Sequence, residues 1–201
     1  MKIKPKIKAI IFDLGGVVMH GGYLNFIHHY LGKHLSSTTK KRIEALEHQV
    51  NLGKITETQF YKHIQKEFHV HLTPKQMHDH IAKKMTANKS LVKFIPTIKR
   101  AKVAVFSNSI GHLHMELLKQ RHLAGKKLFD RIFFSSVMHL AKPTGASYAY
   151  VVKHLKVKPH EALMVDDRLG SVKAAKKNGM QGVVFKNTSQ FKKELKKYNL
   201  V

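Results

Sequence analysis

The sequence predicts an α/β fold: a parallel sheet covered by helices on both faces, with a small all-helical unit inserted after the first strand. Three observations predict it. From Val103 to Phe185 short apolar runs alternate with amphipathic stretches, which is the rhythm of a parallel sheet. Between Tyr23 and Met85 the apolar residues recur only at helical spacing. Several of the apolar runs end on Asp or Ser, and such sheets bind ligands outside the carboxyl ends of their strands.

The elements follow in order. Ile7 to Phe12 reads as a buried strand ending at Asp13 and a Gly15-Gly16 turn. Phe26, Ile27, Tyr30 and Leu31 form one helical stripe, and Ile43, Leu46 and Val50 form another before Gly53. Thr56 opens a third helix carrying Phe60, Ile64 and Phe68, with Gln59 as its capping-box partner. Thr73-Pro74 starts a fourth with Met77 and Ile81, and no strand signal interrupts this block. Val103–Phe106 is the next strand, ending at Ser107, followed by a helix around Leu113–Gln120 and a strand over Ile132–Phe134. Then come a helix over Tyr148–Leu155, a strand over Ala162–Val165 ending at Asp166-Asp167, a helix over Val172–Lys177 closed by Gly179, and a last strand over Gly182–Phe185.

Composition narrows the function. The chain has 201 residues, 43% of them hydrophobic, enough for one substantial domain or a core with a small insertion. No stretch reaches the ~18 apolar residues of a membrane span. With 0 cysteines there is no disulfide framework, thiolate zinc site or cysteine nucleophile. The apolar run Ala9–Phe12 behind the basic start is too short for a signal-peptide core, so a cytoplasmic protein is expected. Lys and Arg total 37 against 12 Asp and Glu, a net charge of +25, and a field of that sign attracts polyanions and anionic metabolites. The excess is spread along the chain, in Lys2–Lys8, Lys40–Arg42, Lys83–Lys89, Lys173–Lys177 and Lys192–Lys197. Nucleic-acid modules gather their charge on one element, interleaved with aromatics. Aromatics here are 8%, with no Trp, so any nucleic-acid binding is expected to be non-specific. The oligomeric state is left open between a monomer and a homodimer.

In so basic a chain, clusters of Asp stand out. A carboxylate directly after a buried strand, as at Asp13, is rigid and partly desolvated, which suits a nucleophile or a metal ligand; the plainer reading is a turn cap. Asp166 and Asp167 repel each other unless a cation or hydrogen bonds compensate them. Three carboxylates at one sheet edge make a hard-oxygen site suited to Mg²⁺, which keeps several waters and binds substrate phosphate. Ser107-Asn108-Ser109 offers hydroxyl and N–H groups to phosphate oxygens at a helix N-terminus. Lys142, beside Pro143, can balance both an aspartate and a phosphate. The 16 histidines include His69-Val70-His71 and His78-Asp79-His80, but i,i+2 pairs do not share a helix face and no third ligand is placed near them. They read as partly exposed side chains on a basic surface.

These residues carry a resemblance. Phe12-Asp13-Leu14-Gly15-Gly16-Val17, Val105-Phe106-Ser107-Asn108-Ser109, Lys142-Pro143 and Met164-Val165-Asp166-Asp167-Arg168 resemble, in order, the four motifs of the haloacid dehalogenase-like (HAD-like) hydrolases, over nearly the whole chain. The helical block sits where that superfamily inserts its helical cap. The resemblance implies a Rossmann-like HAD-like core over residues 1–19 and 89–201, a cap over 20–88, Mg²⁺, and hydrolysis of a small phosphorylated metabolite through an aspartyl-phosphate. It implies Asp13 as nucleophile, and Asp13, the Gly15 carbonyl, Asp166 and Asp167 around the metal. Ser107, Asn108 and Lys142 would hold the phosphoryl group. Two departures bear on activity. Most phosphatases of the superfamily carry a second Asp two residues after the nucleophile, acting as general acid and base, where this chain has Gly15, as does a minority branch reading Asp-Leu-Gly-(Gly or Asn)-Val. Val137 and His139 stand where relatives often have an acid and a glycine. The alternatives are a weak or inert HAD-like protein that binds an anionic partner, nucleic acid or phosphometabolite, and, less favoured, a haloacid dehalogenase.

Overall fold

Ala-Ile-Ile-Phe, with all four side chains buried, forms β1 (Ala9–Phe12) at the centre of the molecule. This comes from a computed structural model that describes residues 5–32, 34–110, 112–125 and 127–200. The basic Met1–Lys4 stretch therefore lies outside the described residues. In chain order the other elements are β2 (Met19–His20), α1 (Tyr23–Leu31), α2 (Ser37–Asn51), α3 (Glu57–Glu67), α4 (Pro74–Lys84), β3 (Thr86–Ala87) and α5 (Lys89–Phe94). They continue with β4 (Lys102–Ser107), α6 (Leu113–Gln120), β5 (Arg131–Phe134), α7 (Ser135–Met138), α8 (Gly145–Leu155), β6 (Ala162–Asp166), α9 (Leu169–Lys177), β7 (Gln181–Val184) and α10 (Thr188–Lys196).

Five strands form one parallel sheet in the order β5-β4-β1-β6-β7. In register, Ile11 lies beside Ala104 on one side and Met164 on the other. Side chains alternate across a strand, and the two faces separate accordingly. Ile10, Phe12, Val103, Val105, Leu163 and Val165 pack with Leu91, Leu117, Phe191 and Leu195 of α5, α6 and α10. Ala9, Ile11, Ala104, Phe106 and Met164 pack with Tyr148, Val151, Leu155 and Ala175 of α8 and α9. This is the Rossmann-like α/β fold expected from the alternating pattern.

The block between β2 and β3 is helical, as its periodicity requires. Thr56 and Thr73 both close capping boxes, with Gln59 and Gln76, and α1 packs on α4, α4 on α3 and α3 on α2. Its apolar residues Phe26, Phe60, Ile64, Met77 and Ile81 run into the same cluster as one face of the sheet. Among the described residues no strand interrupts Tyr23–Met85, as the sequence suggested, but two short strands that the sequence did not show flank the block. Met19 and His20 pair antiparallel with Ala87 and Thr86 at its neck, and Asn88 locks the neck by donating to the Val17 carbonyl at 2.9 Å. A two-residue strand is too short to show a period. Three helices also went unread: α5, the four-residue α7, and α10, which is N-capped by Asn187. No helix of the described residues is long and apolar enough to cross a membrane.

Candidate active site

Asp13 directly follows β1, while Ser107 and Asp166 are the last residues of β4 and β6. Since these three strands are adjacent and parallel, their carboxyl ends bring the three residues to one sheet edge. Asp13, Asp166 and Asp167 each offer an oxygen within 4.8 Å of the others. Asp13 is oriented by its own backbone, whose N–H donates to Val165 O at 2.8 Å, and by the Leu14 N–H, which donates to its carboxylate at 2.7 Å. The Arg168 N–H does the same for Asp166 at 2.8 Å. Gly16 has φ +75, and any Cβ there would sit within the Asp167 carboxylate, so only glycine lets that acid close in.

Lys142 completes the cluster. Its Nζ lies 2.9 Å from Asp13 Oδ1 and 2.7 Å from Asp166 Oδ2, and all three side chains are buried. Burial alone would favour the neutral amine, but Asp13 and Asp166 together outweigh it and hold the ammonium above its usual range. Burial pushes the Asp13 carboxyl up, Lys142 pulls it back and Asp166 pushes again, leaving it at about 6. Burial and Asp166 likewise raise Asp167. One ammonium among three carboxylates leaves this edge short of positive charge, and hard carboxylate oxygens are the donors a Mg²⁺ ion takes. The residues present therefore fit that metal.

Asn108 positions Lys142. Its side-chain amide donates to the Lys142 carbonyl at 3.0 Å and accepts from the Lys142 N–H at 2.9 Å, a two-point clamp ahead of the cis Lys142–Pro143 bond. The Ser107 hydroxyl donates to the Asn108 carbonyl at 3.0 Å. The helix expected around Leu113–Gln120 is α6, over those residues. Its first N–H groups, on His112 and Leu113, both donate to Glu57 of α3 at 3.2 Å. That helix terminus is thus occupied by the helical unit. Glu57 also takes His78 Nδ1 at 2.7 Å, which accounts for one of the paired histidines; His80 stacks among Phe26, His29 and Tyr30 instead. His139 sits in the left-handed region at φ 56 and its Nδ1 contacts the Leu52 carbonyl at 2.9 Å, tying α7 to the end of α2.

Above the sheet edge opens a cavity of about 500 Å³. Asp13, Gly15, Ser107, Asn108, Lys142 and Asp167 line its floor, and His20, Tyr23, Glu47, Asn51, Ile81 and Met85 of the neck and helical unit line the other side, with His114 and Arg168 between. None of Tyr23, Glu47, His114 and Arg168 was singled out from the sequence for a role here. Glu47 carried a signal: it lies four residues after Ile43 and three before Val50, a charge on the buried stripe of α2.

Comparison with known proteins bears on the family and the fold. A family profile described as haloacid dehalogenase-like hydrolase matches residues 7–179. Among solved structures, a HAD family enzyme from Bacteroides thetaiotaomicron superposes with TM-score 0.79 at 18% identity, covering 95% of this chain and 99% of that one. The same enzyme with magnesium and inorganic phosphate gives 0.74 at 19%, covering 90% and 96%. An L-2-haloacid dehalogenase from Xanthobacter autotrophicus gives 0.63 at 17%, covering 97% and 84%. At these identities the likeness concerns the fold. Of curated proteins, flavin mononucleotide hydrolase 1 of Arabidopsis thaliana is 38% identical over 63 residues, which is 31% of this chain. A drimenol cyclase of Aspergillus calidoustus is 34% identical over 68 residues, 34% of this chain. The matches span only 26% and 13% of those two proteins.

Proposed function

The chain belongs to the haloacid dehalogenase-like hydrolases, and from that premise we propose that it is a Mg²⁺-dependent phosphohydrolase acting on a small phosphorylated metabolite. The observation that carries this reading is Lys142 bridging Asp13 and Asp166, 2.9 and 2.7 Å away, beneath a cavity wide enough for a metabolite. A nucleophilic carboxylate and a buried cation side by side suit phosphoryl transfer, which needs alignment and charge neutralisation above all. The flavin mononucleotide hydrolase among the relatives and the magnesium and phosphate in a neighbouring structure support the same class.

In this reading Asp13 attacks phosphorus and becomes an aspartyl-phosphate, which water then hydrolyses. Lys142 neutralises the nucleophile and the transferring oxygens, the Ser107 hydroxyl and the Asn108 backbone hold those oxygens, and the Asn108 side chain keeps Lys142 in place. Asp13, Asp166, Asp167 and the Gly15 carbonyl would hold Mg²⁺, which when bound supplies charge stabilisation to the phosphoryl group. Residues 20–88 act as the cap that closes the cavity over the core of 1–19 and 89–201 and selects the substrate. Gly15 supports reading the chain as one of the Asp-Leu-Gly-Gly-Val branch.

The test is turnover of 4-nitrophenyl phosphate and a panel of phosphometabolites with Mg²⁺, with and without EDTA. Asp13→Asn is expected to abolish turnover while keeping the fold. A tenth of the activity surviving in that variant would remove Asp13 from the mechanism, and indifference to EDTA would remove the metal. No turnover of any ester would favour an inert protein that binds an anionic partner.

A further inference from the structure

Resting on the phosphohydrolase reading, we infer that Glu47, on α2, is the proton donor to the leaving-group oxygen, reaching it from the side of the cavity built by the helical unit. An alkoxide is a poor leaving group and departs readily only when protonated. The turn after the nucleophile cannot supply that proton: a Cβ at Gly15 would meet no atom within 4 Å, so the space there is empty of side chain. Asp13 is held by Lys142, and Asp167 belongs to the acidic cluster on the floor.

The remaining groups of the cavity sort by chemistry. A guanidinium is not a proton donor near neutral pH, which sets Arg168 aside. Burial pushes the Tyr23 phenol well above its usual range, so it gives hydrogen bonds and not protons, and its buried hydroxyl has no partner among the described residues. Burial lowers His114 to about 4, so at neutral pH it has no proton to spare as an acid. Among the described residues Glu47 is the one carboxyl on the cavity wall outside the acidic cluster. Among the described residues no hydrogen bond or ion pair ties it down. Tyr23 of α1 and Arg168, ahead of α9, face it, with Glu44 one turn earlier on its own helix and His20 of β2 on the same wall. Burial raises it, Arg168 pulls it back and Glu44 pushes again, to about 7, where one group can serve as acid and then as base.

The step balances. As an Asp13 oxygen bonds to phosphorus, the bond from phosphorus to the leaving oxygen breaks. The electron pair goes with that oxygen, which takes the Glu47 proton and leaves as an alcohol. Water then attacks the phosphorus, gives a proton to the Glu47 carboxylate, and the bond to Asp13 breaks to release phosphate, returning both residues to their starting states.

The experiment compares glycerol phosphate with 4-nitrophenyl phosphate, whose leaving group needs no proton, in the Mg²⁺-loaded wild type, Glu47→Gln, His20→Gln and the double variant Gly15→Asp with Glu47→Gln. Glu47→Gln is expected to lower kcat for the alkyl ester by about 10²–10⁴-fold while single-turnover release of 4-nitrophenol stays near wild type. In the wild type, alkyl turnover should fall above pH of about 7, and that limb should vanish in Glu47→Gln. Because Gly15 is not in the left-handed region and has open space, Gly15→Asp should restore alkyl turnover in the double variant. An alkyl-to-aryl ratio unchanged by Glu47→Gln overturns the inference, as does finding the whole loss in His20→Gln. If the wild type turns over the aryl ester but Glu47→Gln is silent, only this inference fails. If it turns over neither ester, the phosphohydrolase reading fails and takes this inference with it.

Discussion

At the scale of single residues the site is held together by Lys142. Replacing it with Met would leave Asp13 and Asp166 buried without their shared cation, and breaking a buried ion pair from one side costs about 3–5 kcal/mol. Lys142→Met should therefore lower the thermal midpoint of the metal-free protein sharply, whereas Asp13→Asn, which leaves one ammonium facing one carboxylate, should hardly move it. Equal midpoints for the two variants would mean that Lys142 is not what stabilises the acids. The meeting of Asp13, Ser107, Asp166 and Asp167 was legible because a strand end fixes where the next side chain goes, whereas Lys142, between α7 and α8, was read from its place beside Pro143. Asn108 was legible as a member of the site, but its side chain works on the Lys142 backbone, a long-range pairing that no local spacing shows. Glu47 was readable only as a misplaced charge on an apolar stripe. Its meaning depends on what α2 packs over, and that is tertiary.

At the scale of elements, helices with caps were readable and short pieces were not. The Thr56 box announces α3 because both of its partners lie within four residues. β2, β3 and α7 have too few residues to show a period. The start of α6 at Leu113 was legible, but what holds it was not, because its acceptor, Glu57, comes from another element 55 residues away. Glu57→Ala removes that acceptor from two N–H groups and also the partner of His78. A lost N-terminal acceptor costs about 1 kcal/mol, within roughly 0.5–2. We expect a denaturant midpoint lowered to match, with faster amide exchange in the first turn of α6. Exchange unchanged there would show that Glu57 caps nothing in solution.

For the whole molecule, the fold class was legible and the strand order was not, because alternation says that strands are parallel and covered but not which lie side by side. Charge was legible as a sum and acts as one. At +25 with lysines on many elements, binding to DNA or RNA should be driven by phosphate contacts alone and collapse between about 50 and 200 mM salt; a sequence-selective complex surviving at the higher salt would contradict this. The pairing of Met19 with Ala87 and His20 with Thr86 has a consequence for how the chain finds its shape. β1 and β4 are neighbours in the sheet although Ile11 and Ala104 are far apart along the chain, and joining distant segments costs loop-closure entropy. Once the neck has closed, the two ends of the helical unit are joined, and the path from β1 to β4 shortens to residues 13–18 and 88–101. The unit then settles on the core through contacts of its own, Glu57 on the start of α6 and the Leu52 carbonyl on His139. The entropy of bringing β1 to β4 is thereby made independent of how many residues the insertion holds.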